Sequence, residues 1–201
     1  YDHIIIRNRA NSPSYLYIKD DKIQMKNAEK LWGKDIVETT NILKKQYGES
    51  GVIAIGQAGE NLVVSALTLI DKTSTLGRGG LGAIMGSKNL KAILVQGSKG
   101  IEVARPKEFM NLYHQLYNRI ENYPHRESWH QLGMLRSLPI NMILAAKGQK
   151  KKARECNERT YLNKLKYRRL ACPSCPMGDK DLLELQEGKF SGLTNYTSSV
   201  I

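Results

Sequence analysis

Cysteine is scarce in this chain of 201 residues: there are three, an odd number. That argues against a framework of paired disulfides and leaves metal or redox duty in a reducing compartment as the natural use. Acidic residues are also few, 19 against 31 Lys plus Arg, and the formal charge is +12. Such an excess suits nucleic acid, phosphorylated ligands or an acidic partner, or a chain whose acidic remainder lies elsewhere. No apolar run approaches the roughly 20 residues needed to cross a bilayer. Internal repeats and low-complexity segments are missing too. What is present is ordinary for a folded chain. The hydrophobic fraction of 41% speaks against wholesale disorder, and the length suits one domain or two small ones. The start at Tyr1 and the end at Ile201 both read as cuts in a longer polypeptide.

Two textures divide the chain. Residues 1–98 alternate short apolar runs with turns. Strands are expected at residues 3–7 and 15–18, which are β-branched and aromatic-rich, and at 22–26 after an Asp20-Asp21 turn. Asp35 is placed to cap a helix through Tyr47, with Ile36, Thr39, Leu43 and Tyr47 at helical spacing, and Gly48 stops it. Further strands are expected at 52–56, 62–70 and 90–96, with a short helix before the last. Residues 97–100 read as a linker. From Pro106 the pattern turns helical: Phe109, Leu112, Tyr113, Leu116 and Ile120 form one apolar stripe of the kind that packs into a core. Short helices are expected at 129–135, 139–147 and 159–169. The basic stretch 149–154 reads as a solvated loop. The fold class is therefore α+β, a β-rich mixed α/β region followed by the start of a helical one.

The strongest chemical signal is the run Thr75-Leu76-Gly77-Arg78-Gly79-Gly80-Leu81-Gly82-Ala83-Ile84-Met85-Gly86-Ser87-Lys88-Asn89-Leu90-Lys91-Ala92-Ile93. Its glycines leave backbone N–H groups bare and allow positive φ, so they can cradle an anion. Arg78 adds a planar fork that matches phosphate oxygens, and a helix following the glycines would add partial positive charge. The spacing fits neither the P-loop nor the dinucleotide fingerprint. A tight strand-to-helix turn with a solvated Arg78 is the plain alternative.

The second signal is Cys172-Pro173-Ser174-Cys175-Pro176-Met177-Gly178-Asp179. Two thiolates two residues apart can share one metal or two corners of a cluster, and the prolines and glycine keep the loop open. A zinc knuckle would need a second Cys/His pair, and a redox dithiol would need a preceding thioredoxin-like strand. Asp179 stands four residues after Cys175, where its carboxylate could ligate iron, though it is a harder donor than sulfur. Cys156 reads as a bystander.

With Ile55-Gly56-Gln57-Ala58-Gly59-Glu60-Asn61-Leu62-Val63, these two motifs make the chain closely resemble the tungsten- and molybdenum-dependent aldehyde ferredoxin oxidoreductase family. The resemblance covers nearly the whole chain. It implies that residues 1–98 are the C-terminal half of an N-terminal pterin-binding domain, and that residues 99–201 begin a helical domain with an iron–sulfur loop. It assigns cofactor contacts to Arg78, Gly79, Gly80, Leu81 and Gly82, with Gly59-Glu60-Asn61 in support. Cys172, Cys175 and Asp179 become ligands of a [4Fe-4S] cluster. The implied cofactors are a tungsten or molybdenum bis-pterin and that cluster. The implied activity is two-electron redox of an aldehyde/carboxylate or aromatic acyl-CoA type substrate.

The resemblance further implies electron transfer to ferredoxin or partner subunits in the cytoplasm, with no nucleic acid, no membrane span, and assembly as a homo-oligomer or multi-subunit complex. Asp179, where many members carry Cys, looks more like the branch holding the benzoyl-CoA reductase active-site subunit. The tail Gly192-Leu193-Thr194-Asn195-Tyr196 lacks the Gly-Pro-Glu-Tyr-Glu stretch of typical aldehyde-oxidising members. The competing reading is a non-catalytic zinc or nucleic-acid module; it lacks a second ligand pair and the interleaving of aromatic and basic residues.

Overall fold

The computed structural model describes residues 3–77, 79–132, 146–151, 166–171, 175–184 and 194–197. Two compact units meet in sequence between Ile101 and Glu102.

The first unit is built on a six-stranded mixed sheet. Its elements run β1 (Ser14–Lys19), β2 (Lys22–Asn27), α1 (Ile36–Tyr47), β3 (Gly51–Ile55), α2 (Gln57–Glu60), β4 (Thr68–Ile70), β5 (Ser74–Thr75), α3 (Leu81–Ser87) and β6 (Leu90–Gln96). Strand order is β2-β1-β6-β3-β4-β5. Only β1 and β6 are parallel, with Tyr15 opposite Ala92 and Ile18 opposite Val95; the other pairs are antiparallel.

Local signals set α1. The Asp35 carboxylate accepts the Glu38 N–H at 2.8 Å, satisfying a first-turn donor. Gly48, at φ +78°, ends the helix and returns its N–H to the Lys44 carbonyl. The helix then lays Leu43 over one sheet face, against Tyr15, Val52, Ala54, Ala92 and Leu94, with Ala28 and Leu31 closing the edge. Val52 and Ala54, like Ala92 and Leu94, sit two apart, as one face of a strand requires. Burying Leu43 completely contributes about 1.5–3 kcal/mol. At the rim the Tyr15 and Tyr47 hydroxyls pair at 2.7 Å. Burial first, and that shared bond second, push the Tyr15 phenol far above its usual range.

Two expected strands of this unit are corrected. Residues 3–7 form no strand. Both edges of β1 are already taken, by β2 and β6, and Asn8 at φ +62° turns the chain away, so the β-branched run finds no ladder. Of residues 62–70 only Thr68–Ile70 is strand; Leu62 at φ +58° leaves α2 in a turn, and Leu62, Val63 and Val64 stay exposed.

In the second unit, α4 (Pro106–Glu121) starts with Pro106 in its first turn. No residue of α4 is buried, so its apolar stripe does not form the expected core. α5 (Arg126–Leu132) begins three residues before the helix expected at 129–135. Arg126 bonds Glu121 at 2.9 Å, tying the start of α5 to the end of α4. The helix expected at 139–147 falls outside the described residues apart from its last two. The helix expected at 159–169 is corrected where it can be seen. Lys166–Leu170 is strand β7, which pairs antiparallel with β8 (Lys180–Glu184) and, through it, β9 (Thr194–Thr197). A ladder partner overrode local helical spacing there.

Candidate functional site

In the first unit the fold brings two of the motifs together. α2 lies against α3, and glycines set how closely. A Cβ on Gly86 would stand 1.9 Å from the Gly59 carbonyl oxygen, and one on Gly59 would stand 2.8 Å from that of Gly82. The two helices touch backbone to backbone, which no side chain at these positions permits.

The glycine-rich run thereby divides by role. Gly80, at φ +78°, turns the chain into α3, and a Cβ there would meet the Val64 carbonyl at 2.9 Å. Gly82 is closed in by the Leu67 and Ala66 carbonyls, at 2.7 and 2.8 Å from a Cβ. Leu81 opens the helix, partly exposed. Gly77 and Gly79 meet nothing within 4 Å, and Gly77 lies at φ +83°. So the fold itself demands Gly80 and Gly82 by close contact and Gly77 by its backbone angle, while Gly79 faces open space with no such constraint. Arg78 between them lies outside the described residues.

Behind this run sits a buried ion pair that sequence reasoning missed. Lys91 is fully buried within β6, and its ammonium bonds the Glu60 carboxylate and, at 2.6 Å, the Lys34 carbonyl. Glu60 also accepts the Gly33 N–H with both oxygens, at 3.0 and 2.9 Å. The glutamate of the Gly59-Glu60-Asn61 motif therefore ties α2 to β6 and to the turn before α1. A lysine inside an otherwise apolar strand was the available signal: a buried ammonium needs a carboxylate partner. Asn61 is exposed, and its amide bonds the Gln57 carbonyl at 2.9 Å.

The second unit holds the cysteine loop. Cys175 is a half-buried free thiol and Asp179 is half-buried four residues on; Cys172 and Cys156 lie outside the described residues. Among the described residues no group of three or more His, Cys, Asp or Glu side chains could hold a metal. The Pro176 carbonyl accepts from Arg126 Nη2 at 3.1 Å, and the Met177 carbonyl lies 2.9 Å from His130 Nδ1. Arg126 Nε is buried with no acceptor. A permanent cation with a spare buried donor beside a thiol loop suits an anionic thiolate–metal group. The donors in view, one soft and one hard, fit part of such a site.

Residues 1–97 match the family described as aldehyde ferredoxin oxidoreductase, N-terminal domain. Over those residues the chain is similar to the N-terminal domain of that family. The tungsten-containing aldehyde ferredoxin oxidoreductase of Pyrococcus furiosus is 44% identical over 126 residues, 62% of this chain and 21% of the relative. An aliphatic sulfonate oxidoreductase, WOR-like subunit, of the same organism is 37% identical over 126 residues, 56% of this chain and 20% of the relative. The chain thus spans about a fifth of the length of these curated relatives. Among solved structures, the active site complex BamBC of benzoyl coenzyme A reductase, in complex with 1,5-dienoyl-CoA, has a TM-score of 0.72 at 29% identity. It covers 95% of this chain and 32% of the other. The α+β fold expected for the family is the fold observed. No helix among the described residues is long and apolar enough to cross a membrane.

Proposed function

We propose that the chain is part of a tungsten-pterin oxidoreductase of this family, working in the cytoplasm with a [4Fe-4S] cluster as its electron outlet. The observation that carries the reading is the division of the glycine run. Gly80 and Gly82 are explained by packing and Gly77 by its left-handed backbone, Gly79 by neither, and a bare stretch beside an arginine suits a phosphorylated, polyanionic cofactor. In this reading Arg78 and Gly79 meet the pterin, while Gly80, Leu81 and Gly82 hold the bend that presents them. Glu60 and Lys91 fix the frame behind. Molybdenum would suit the same residues.

In the second unit Cys172, Cys175 and Asp179 supply donors to the cluster, with Asp179 where a thiolate would be the softer choice. When bound, the metal–pterin supplies two-electron chemistry; the chain's residues bind it and orient it. The excess of basic residues favours an acidic electron carrier such as ferredoxin, or partner subunits. Asp179, with a structural likeness that covers 95% of the chain, favours an aromatic acyl-CoA type substrate over an aldehyde.

The test is metal analysis of protein made from its complete coding sequence and purified without oxygen. Tungsten near one per chain with about four iron is expected. Zinc alone, or no metal, overturns the reading in favour of a binding module.

A further inference from the structure

The cysteine loop cannot easily shape itself. Pro176 follows Cys175 directly, and proline offers no N–H for a bond within the loop. Its shape is held from outside, by α5. Arg126 and His130 are four residues apart, so they leave the same face of that helix. Each takes one of two consecutive carbonyls: Arg126 Nη2 donates to Pro176 at 3.1 Å, and His130 Nδ1 meets Met177 at 2.9 Å. A carbonyl accepts only, so Nδ1 carries a proton. Arg126 is itself anchored by Glu121 at 2.9 Å. A third observation concerns Gly178. It is buried at φ +59°, and a Cβ there would stand 3.2 Å from both Cε1 and Nδ1 of His130. A glycine at that position lets the loop come this close to the imidazole.

We infer that Arg126 and His130 are positioning residues that fix the loop between Cys175 and Asp179 before a metal arrives. The inference rests on the proposed iron–sulfur role of that loop. Its physical content is directional. A carbonyl oxygen turned toward a thiolate places like charges together; with both carbonyls committed to α5, the side of the loop that meets the metal is spared them. Partners one shell out are as much a part of a metal site as its ligands.

The experiment uses protein from the complete coding sequence, purified without oxygen. Wild type, His130→Ala, His130→Asn and Arg126→Met are compared by iron content, by the paramagnetic resonance signal after reduction, and by the rate of bleaching in air. Circular dichroism checks the fold. His130→Ala and Arg126→Met should lose iron about tenfold faster and show an altered cluster signal. His130→Asn, whose amide nitrogen can take the place of Nδ1, should restore both. Wild-type iron, signal and bleaching in the two disruptive variants overturns the inference, as does an Asn variant no better than Ala. Wild type without iron overturns the iron–sulfur reading instead. If the disruptive variants do not fold, Gly178→Ala decides: its Cβ displaces the imidazole, and unchanged bleaching there overturns the brace.

Discussion

Leu43 of α1 and Leu116 of α4 hold comparable places, each on the apolar stripe of an amphipathic helix. Leu43 is fully buried, and Leu116 is 46% exposed. Among the described residues, every apolar residue of the buried core lies between Tyr15 and Leu94, all in the first unit. The described residues of the second unit are joined by polar contacts, Arg126 to Glu121 and to Pro176, and His130 to Met177. Helical periodicity produced both helices. It did not decide burial, which depends on what the stripe meets. The first unit is therefore stabilised by packing so close that several positions admit only glycine, whereas the described part of the second has room to give.

The most forceful way to break this contrast is at Gly86. A Cβ 1.9 Å from the Gly59 carbonyl oxygen cannot be absorbed by a side-chain rotation, because every atom it meets is backbone. Gly86→Ala is expected to cost more than about 3 kcal/mol, beyond the ordinary range for overpacking, and to leave the first unit without a cooperative urea transition. Gly79→Ala is the matched control. With nothing within 4 Å, it should change stability by less than about 0.5 kcal/mol yet lower tungsten content if Gly79 meets the pterin. A stable Gly86→Ala protein would show that α2 and α3 can part.

Next in size is the buried ion pair. Lys91→Met removes the ammonium and leaves the Glu60 carboxylate, with its side chain 5% exposed, facing only the Gly33 N–H. The expected loss is about 3–5 kcal/mol, as for other broken buried pairs. The double change Glu60→Gln with Lys91→Met should recover part of it, because no charge is then stranded. Equal losses in the single and double variants would mean that the pair acts only through its volume.

The leucines test the contrast directly. Leu43→Ala should cost about 2–5 kcal/mol, the price of a core cavity. Leu116→Ala should cost less than about 1 kcal/mol, since half the side chain already meets solvent. Hydrogen exchange resolved by residue would assign each loss to its own unit. A Leu116 variant as damaging as the Leu43 one would show that α4 buries its stripe after all.

How much of this could be read beforehand follows from the range of the forces involved. Asp35, Gly48 and the spacing of Ile36, Leu43 and Tyr47 act within one helix, and all performed as the sequence suggested. The two motifs of the first unit were legible as motifs, but not the reason for each glycine. That Gly82 is enclosed by Ala66 and Leu67 while Gly79 is open depends on the path of a turn that looked like a strand. The isoleucines of residues 3–7 had strand propensity and no partner. Lys166–Leu170 had helical spacing and a partner, and became strand. The brace from α5 joins residues nearly fifty apart, and neither Arg126 nor His130 carries a local mark of that role.

The smallest effect concerns a turn that both closes β1 against β2 and receives the end of β6. Asp20, at φ +50°, accepts the Ser98 N–H at 2.7 Å and the Ser98 hydroxyl at 3.0 and 3.1 Å. The backbone N–H first, and then the hydroxyl, hold its carboxyl below the usual carboxylate value. A folded-state value below the unfolded one means that the unfolded chain takes up the proton first. The contribution is complete above about pH 4 and is lost as pH falls through the lowered value. Asn keeps the left-handed turn at little cost and still offers an acceptor, but it cannot ionise. Asp20→Asn should therefore leave the chain slightly less stable at neutral pH and make its acid limb shallower below about pH 4, read as urea midpoints across pH 2 to 7. Parallel curves for the two proteins would show that the Ser98 contacts gain nothing from the charge.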